Sequence, residues 1–157
     1  EFDAIRRIAA YVGQPARWAS AQEAAADLWK ISTGFGPHTD EQWLALTRPQ
    51  LKALPGGGYG PHYDPAIGVP VRATTPELLA AGQAMLWHAY DAIACPTLLL
   101  RGAESDLLSP ATAQAMTQRG PRATLVEFAG VGHAPTLLAA DQVAVIDTFL
   151  RGGAASP

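Results

Sequence analysis

The last third of the chain alternates short apolar segments with amphipathic ones. Pro96 to Leu100 is an apolar run bounded by proline and glycine, and Ala123 to Phe128 is a second apolar run. We expect the first to be a strand buried on both faces, as in a parallel sheet. Ser109 and Pro110 form an N-cap and N1 pair that opens the helix between the strands, and Asp141 caps a closing helix. The order predicts a parallel α/β unit of the βαβα type over residues 94–152, with a tail at 153–157.

The sequence pattern of residues 1–93 differs from that of the last third and predicts short helices and loops. Helices are expected over residues 2–12 and after Ser20, Thr39 and Thr75, with Gly82 as a candidate break in the last. Four glycines between Pro55 and Pro61 predict a flexible loop, and residues 62–72 are expected to be irregular. We expect most aromatic rings here to pack between helices, the alternative being that some line an apolar pocket. The rings belong to Trp18, Trp29, Phe35, Trp43, Tyr59, Tyr63, Trp87 and Tyr90.

Composition narrows the class of partner. The chain has 157 residues, 48% of them hydrophobic and 16% charged, which is typical of a globular domain. The net charge of −3, without a basic block, argues against nucleic acid and anionic membranes as partners. No run approaches the roughly 18 apolar residues that span a bilayer. No secretory leader is visible, so we expect a cytoplasmic location, and the single cysteine, Cys95, is expected to be buried.

Two residues at predicted strand ends can carry chemistry together. Asp106 follows the first strand and His133 follows the second. The carboxyl ends of parallel strands meet at one sheet edge, so we expect the two side chains to lie together there. Each alone has an ordinary interpretation, as a turn carboxylate or an exposed histidine. Together they predict a pair in which Asp106 orients the imidazole and His133 acts as general base and acid.

The same segments resemble the α/β-hydrolase family. The resemblance rests on Pro96 to Gly102, Ser105 to Pro110 and Gly130 to Pro135, which are similar to the last two core strands with their acid and histidine turns. It implies that Asp106 is the triad acid, that His133 is the general base, and that residues 1–93 are a helical cap or lid. Many relatives place the acid one residue closer to the glycine than Asp106 lies from Gly102, which leaves Glu104 as an alternative acid.

One part of the family pattern is not found in the sequence. The family uses a Gly-x-Ser-x-Gly turn for its nucleophile, and no such pentapeptide occurs here. We therefore expect the chain to be a fragment or subunit that lacks the N-terminal half of the fold. An exposed sheet edge would then pair with that missing half or with a second copy of the chain. None of the serines has glycine at both flanking positions of that pentapeptide; they are Ser20, Ser32, Ser105, Ser109 and Ser156.

The resemblance predicts a hydrolase that cleaves an ester or similar acyl bond of a small, mostly apolar molecule. A second hypothesis is a binding protein that keeps the fold without the chemistry. Related folds that act on haloalkanes, epoxides or carbon–carbon bonds are a third. We expect no cofactor. A metal site at His38, His62 and His88 is disfavoured by their wide, irregular spacing.

Overall fold

The computed structural model describes residues 2–153 and divides the chain into two compact units. The core unit comprises Phe2, Gly34–Gly36 and the chain from Thr75 onward, and the helical unit comprises residues 3–33 and 37–74. The core unit therefore begins well before the predicted boundary at residue 93. Of the predicted tail, residues 154–157 lie outside the described part of the chain.

The helical unit contains helices whose N-termini carry the expected caps. The Thr39 hydroxyl accepts a hydrogen bond from the Gln42 N–H, and the Gln42 side chain returns one to the Thr39 N–H, so this capping box is confirmed. Ser20 caps its helix in the same way, but the Glu23 carboxylate accepts from the Ala19 N–H instead. The helices are α1 (Phe2–Ala9), α2 (Ala21–Ser32), α3 (Asp40–Thr47) and α4 (Gly68–Arg72).

The glycine-rich segment is more ordered than predicted. Strand β1 (Leu51–Ala53) pairs antiparallel with β2 (Tyr59–Pro61), which makes a hairpin whose turn holds Gly56, Gly57 and Gly58 at positive φ. Tyr59–Pro61, predicted as part of a loop, is therefore a strand, and the three glycines before it supply a turn conformation that other residues rarely adopt. The following segment was also predicted incorrectly, since Pro65–Ile67 forms a 3-10 turn that leads into α4.

The core unit contains the predicted parallel pair. Strand β3 (Leu98–Gly102) pairs in parallel with β4 (Thr124–Phe128), with Leu98 opposite Thr124 and Gly102 opposite Phe128. Both predicted strands are confirmed: β3 is displaced by two residues towards the C-terminus, and β4 begins one residue later than predicted and ends at the same residue. Thr75 and Ser109 cap their helices as predicted, whereas Asp141 lies in the first turn of the last helix, after the N-cap Ala139. The helices are α5 (Pro76–Asp91), α6 (Pro110–Met116) and α7 (Ala140–Leu150).

The hydrophobic core of this unit lies on one side of the strand pair. Val126 and Phe128 of β4 pack with Val131 and with Val145 of α7, and all four are at least 95% buried. Leucines of β3 pack against this cluster but are only half-buried. The expectation that β3 is buried on both faces holds only at its C-terminal end, where Arg101 and Gly102 lie on opposite faces and are buried, whereas the three leucines are half-buried.

Two further expectations about residues before β3 were wrong. Cys95 is exposed rather than buried, because it lies in the segment between α5 and β3, outside either element. Gly82 does not divide its helix, since α5 is continuous from Pro76 to Asp91. A single glycine costs a helix only about 1 kcal/mol relative to alanine, which the rest of a 16-residue helix tolerates.

The C-terminal end of α5 is joined to the segment after α6 by an ion pair. Arg119 donates from Nε to Asp91 Oδ1 at 2.7 Å, and its second nitrogen, Nη2, bonds the other carboxylate oxygen. The same guanidinium lies 4.2 Å from the ring centroid of Trp87, and the Tyr90 hydroxyl donates to the Met116 carbonyl. These contacts fix α5 against the connection that leads into β4.

This ion pair predicts a stability change that depends on pH. The hydrogen bond from Arg119 lowers the pKa of Asp91 below its ordinary value of 3.8. A lowered carboxyl pKa adds stability that is present above pH 3.8 and is lost as the pH falls through the lowered value. We expect Asp91→Asn to reduce the free energy of unfolding at neutral pH and to match the wild type in strong acid. Urea unfolding of the complete gene product across this range checks it, with Asp147→Asn in an exposed pair on α7 as control. A difference that does not change with pH would contradict the assignment.

Candidate catalytic site

The turns that follow β3 and β4 are joined by a backbone hydrogen bond. The Glu104 N–H donates to the Val131 carbonyl at 3.0 Å. Asp106 lies in the first of these turns and His133 lies directly after the second. The parallel register therefore brings the segments that carry both predicted residues to one edge of the strand pair.

Glycines allow the two turns to approach each other this closely. A β-carbon on Gly102 would lie 2.6 Å from the Val131 carbonyl carbon, and closer still to the carbonyl oxygens of Val131 and Gly132. Gly130 has φ +70°, a left-handed conformation that glycine adopts readily. The Gly132 N–H donates to the Gly34 carbonyl, and a β-carbon on Gly132 would collide with that backbone. His133 is thus presented by a segment whose buried residues are Val131 and Gly132.

Asp106 and His133 are exposed residues. Glu104, the alternative acid, is exposed in the same turn as Asp106. An acid and a base at a solvent-open edge can exchange protons with a bound molecule, provided that another group supplies the attack on it. Their assignment as triad members remains a prediction.

The buried side chain of Arg101 fixes the turn that carries Asp106. Arg101 was not among the functional residues predicted from the sequence. Arg101 is 2% exposed, and its guanidinium donates to the carbonyls of Ala103, Ser105 and Leu108 and to the Glu127 carboxylate. The available signal was an arginine at the end of an otherwise leucine-rich strand. A charged side chain at such a position is rarely buried without several partners.

The segment between His133 and α7 is held by a second buried polar residue that sequence reasoning missed. Gln142 is 5% exposed, and its side-chain oxygen accepts a hydrogen bond from the Leu137 N–H at 2.8 Å. Leu137 has φ +62°, an unusual conformation for a residue with a branched side chain. The contact fixes the chain a few residues beyond the histidine.

Serine hydroxyls near this edge have structural partners. The Ser105 hydroxyl accepts from the Leu108 N–H at 3.1 Å, and the Ser109 hydroxyl accepts from the Thr112 N–H at 3.1 Å at the start of α6. Ser20 caps α2 in the helical unit. These contacts are those of turn and cap residues rather than of an activated nucleophile. Ser156 lies outside the described residues.

A pocket of about 190 Å³ lies within the helical unit. Two of the predicted aromatic residues, Trp18 and Tyr63, line it, whereas Trp29 and Trp43 pack edge to face at 4.8 Å. A hydrogen bond from the Trp18 indole is the main cause of the lowered pKa of Asp27, the one carboxylate in the lining. The lining residues are Tyr11, Gln14, Ala16, Trp18, Asp27, Leu28, Ile31, Gln50, Leu51, Pro61 and Tyr63.

Neither a metal-binding cluster nor a membrane-spanning helix is found among residues 2–153. Within residues 2–153, no group of three or more histidine, cysteine or acidic side chains is arranged to hold a metal ion. His38 instead contacts the rings of Trp29 and Trp43. None of the helices in that part of the chain combines the length and hydropathy that a membrane span requires.

Comparisons with known proteins agree with the sequence resemblance. The model of the alpha/beta hydrolase family matches residues 2–146. The chain is 45% identical over 152 residues to the 3-hydroxybutyrate-oligomer hydrolase of Cupriavidus necator, covering 95% of this chain and 52% of that protein. The crystal structure of an alpha/beta hydrolase from Novosphingobium aromaticivorans superposes with a TM-score of 0.78 at 33% identity, over 95% of this chain and 52% of its own.

A third relative shows the likeness of fold alone. The structure of E-2-(acetamidomethylene)succinate hydrolase has a TM-score of 0.70 at 16% identity, covering 96% of this chain and 52% of the other. The chain thus spans about half the length of the relatives it matches. Its parallel strand pair and helices form part of the fold that these structures share, and the predicted fold class is confirmed. Because the family model extends over nearly all of the sequence, the chain belongs to the alpha/beta hydrolase family.

Proposed function

We propose that the chain supplies the acid and the base of a serine-type hydrolase that cleaves ester bonds. In this proposal Asp106 orients His133, and the nucleophilic serine belongs to a part of the protein outside this chain. The observation that supports the proposal is the hydrogen-bonded contact between the turns after β3 and β4, the two segments that carry these residues. Membership of the hydrolase family supports the same assignment.

The proposed chemistry follows from these two side chains. The serine oxygen attacks the ester carbonyl carbon while His133 takes its proton, and His133 then gives that proton to the departing alcohol. Water next attacks the acyl-enzyme and loses a proton to His133, which passes that proton to the serine oxygen as the acyl–serine bond breaks. The Asp106 carboxylate stabilises the imidazolium that forms in each half of the reaction. The cycle consumes one water per ester bond and requires no cofactor.

The proposed substrate is a short, ester-linked oligomer of a hydroxy acid. The relative that is 45% identical is a 3-hydroxybutyrate-oligomer hydrolase, and this name supports that class of molecule. We further propose that the helical unit, which makes up most of the predicted cap of residues 1–93, receives part of such a chain in its pocket. The pocket in the helical unit is lined mainly by aromatic and aliphatic side chains, which suit the methyl-bearing backbone of a hydroxybutyrate oligomer.

Hydrolysis of 3-hydroxybutyrate oligomers by the complete gene product tests the proposal. We expect release of monomer and labelling of a serine by a fluorophosphonate, both of which His133→Ala abolishes. His62→Ala, at an exposed histidine of the helical unit, is the matched control and should behave as the wild type. Absence of both hydrolysis and labelling would instead favour a binding protein. Hydrolysis without serine labelling would indicate a different nucleophile, as in the haloalkane or epoxide relatives.

We also propose that the rest of the hydrolase fold covers two apolar surfaces of the core unit. Within the described chain, the edge of β3 away from β4 has no strand partner, and the β3 leucines are half-buried. Helix α5 presents Leu78, Met85 and Leu86, which are 62–74% exposed and recur at helical spacing. The relatives are about twice as long as this chain, which supports the remaining half of the fold as the occupant.

Sedimentation of residues 1–157 alone tests this proposal. We expect the isolated chain to self-associate or to remain poorly folded, and Met85→Lys with Leu86→Lys to reduce the association. Addition of the remaining half as a separate chain should give a one-to-one complex. A stable, well-folded monomer that does not bind the added half would contradict the proposal.

A further inference from the structure

Arg101 is a buried cation beneath the turn that carries Asp106. It occupies the fourth position of β3, after three leucines, and only 2% of it is exposed. Burial of a guanidinium is strongly unfavourable unless its N–H groups find acceptors. The environment of this side chain therefore has to supply several oxygen atoms.

Those oxygens come mainly from the turn itself. Arg101 Nε donates to the Leu108 carbonyl at 2.7 Å, Nη1 to the Ala103 carbonyl at 3.2 Å, and Nη2 to the Ser105 carbonyl at 3.1 Å. Three carbonyls from residues 103–108 thus converge on one planar group. Asp106 follows Ser105 directly, so the guanidinium fixes the backbone on both sides of the predicted acid.

The fourth contact joins this arrangement to the strand that leads to the histidine. Arg101 and Glu127 are opposite one another in the strand register, and Nη1 donates to the Glu127 carboxylate at 2.5 Å. The Glu127 side chain is 45% exposed, so solvent screens this ion pair and it contributes little by itself. The buried bonds to the carbonyls are the stronger constraint on the turn.

We propose that Arg101 is a positioning residue that acts on catalysis through Asp106. The inference rests on the proposed function, in which Asp106 orients His133. The forked guanidinium donates to three carbonyls at once. These hydrogen bonds keep the turn that carries Asp106 beside the turn that leads to His133. A lysine ammonium is a single point of charge without this fork and reaches fewer of the carbonyls.

Hydrogen–deuterium exchange of the complete gene product tests the structural part of the inference without reference to activity. We expect Arg101→Met to accelerate exchange of the amides in residues 103–108 while the amides of α7 keep their protection. Arg151→Met removes the same charge at an exposed site on the same unit and should leave both segments unchanged. Unaltered exchange over residues 103–108 would overturn the proposal, whether or not the protein hydrolyses esters.

Turnover measurements test whether Arg101 acts through the acid. Fluorophosphonate titration gives the concentration of active sites, to which kcat is referred. We expect Arg101→Met to lower kcat by about 100-fold with little change in KM, because a small misplacement of a catalytic group lowers the rate by about that factor. Arg101→Lys should recover only part of the loss. In an Asp106→Asn background, Arg101→Met should cost almost nothing more. A purely structural role would leave kcat per titrated site unchanged, and equal losses in both backgrounds would likewise refute action through Asp106. A wild type that neither labels nor hydrolyses would refute the proposed function, and the exchange result would then stand by itself.

Discussion

Replacement of His133 by alanine is expected to lower kcat for ester hydrolysis by about 10³-fold or more in the complete gene product. The imidazole is the only group proposed to move protons at this edge, and alanine cannot accept one from the attacking serine. KM should change little, since the histidine is assigned to the transition state rather than to substrate binding. The measurement is steady-state hydrolysis of a 3-hydroxybutyrate oligomer under saturating conditions.

The His133 result has a matched control in the same chain. His62 is also exposed, but it lies in the helical unit, after β2. His62→Ala should retain nearly full activity and the same unfolding temperature. If His133→Ala kept more than about a tenth of the wild-type rate, the assignment of the general base would be wrong.

Replacement of Gly102 by alanine is expected to be among the most destabilising single changes in the chain. The added β-carbon would lie 2.6 Å from the Val131 carbonyl carbon, and the obstacle is backbone rather than a side chain that could rotate away. The β3 and β4 turns must then separate, at a cost of about 3 kcal/mol or more in the free energy of unfolding. Urea unfolding of the complete gene product measures this cost, and activity should fall with it because the same separation moves Asp106 away from His133.

A second glycine provides the control for this substitution. Gly82 lies in the middle of α5, and a β-carbon there would meet nothing within 4 Å. Gly82→Ala should therefore meet no obstacle within this chain and cost much less than Gly102→Ala, since helix propensity favours alanine over glycine by about 1 kcal/mol. Equal behaviour of the two variants would show that the close approach at Gly102 is not a real constraint.

The parallel pair was predictable because its signals are local and strong. Pro96 to Leu100 and Ala123 to Phe128 are mainly apolar, with Glu127 the only charged residue in either, and Ser109-Pro110 marks the start of the helix between them. Parallel topology follows from the crossover helix, and the shared edge follows from the topology. The sequence is therefore sufficient to predict that the segments carrying Asp106 and His133 lie at one edge of the strand pair.

The hairpin, the exposure of Cys95 and the role of Arg101 depend on tertiary contacts or positions that could not be predicted from the sequence. Three consecutive glycines are typical of a flexible loop. However, Tyr59–Pro61 pairs with the strand Leu51–Ala53, and the two strands form a hairpin. Cys95 was expected to be buried from its residue type, but its position between two elements leaves it exposed. The role of Arg101 depends on hydrogen bonds to three backbone carbonyls of a turn. Every residue has a backbone carbonyl, so the residue types do not show which ones accept these bonds.

A double-substitution cycle on Asp106 and His133 tests the central claim most directly. We predict that Asp106→Asn and His133→Ala each lower kcat/KM by orders of magnitude, and that the double variant is little worse than His133→Ala alone, because the two residues act as one unit. Glu104→Gln, a change of the alternative acid in the same turn, should have a minor effect. Losses that multiply in the double variant, or a larger loss at Glu104 than at Asp106, would contradict the account.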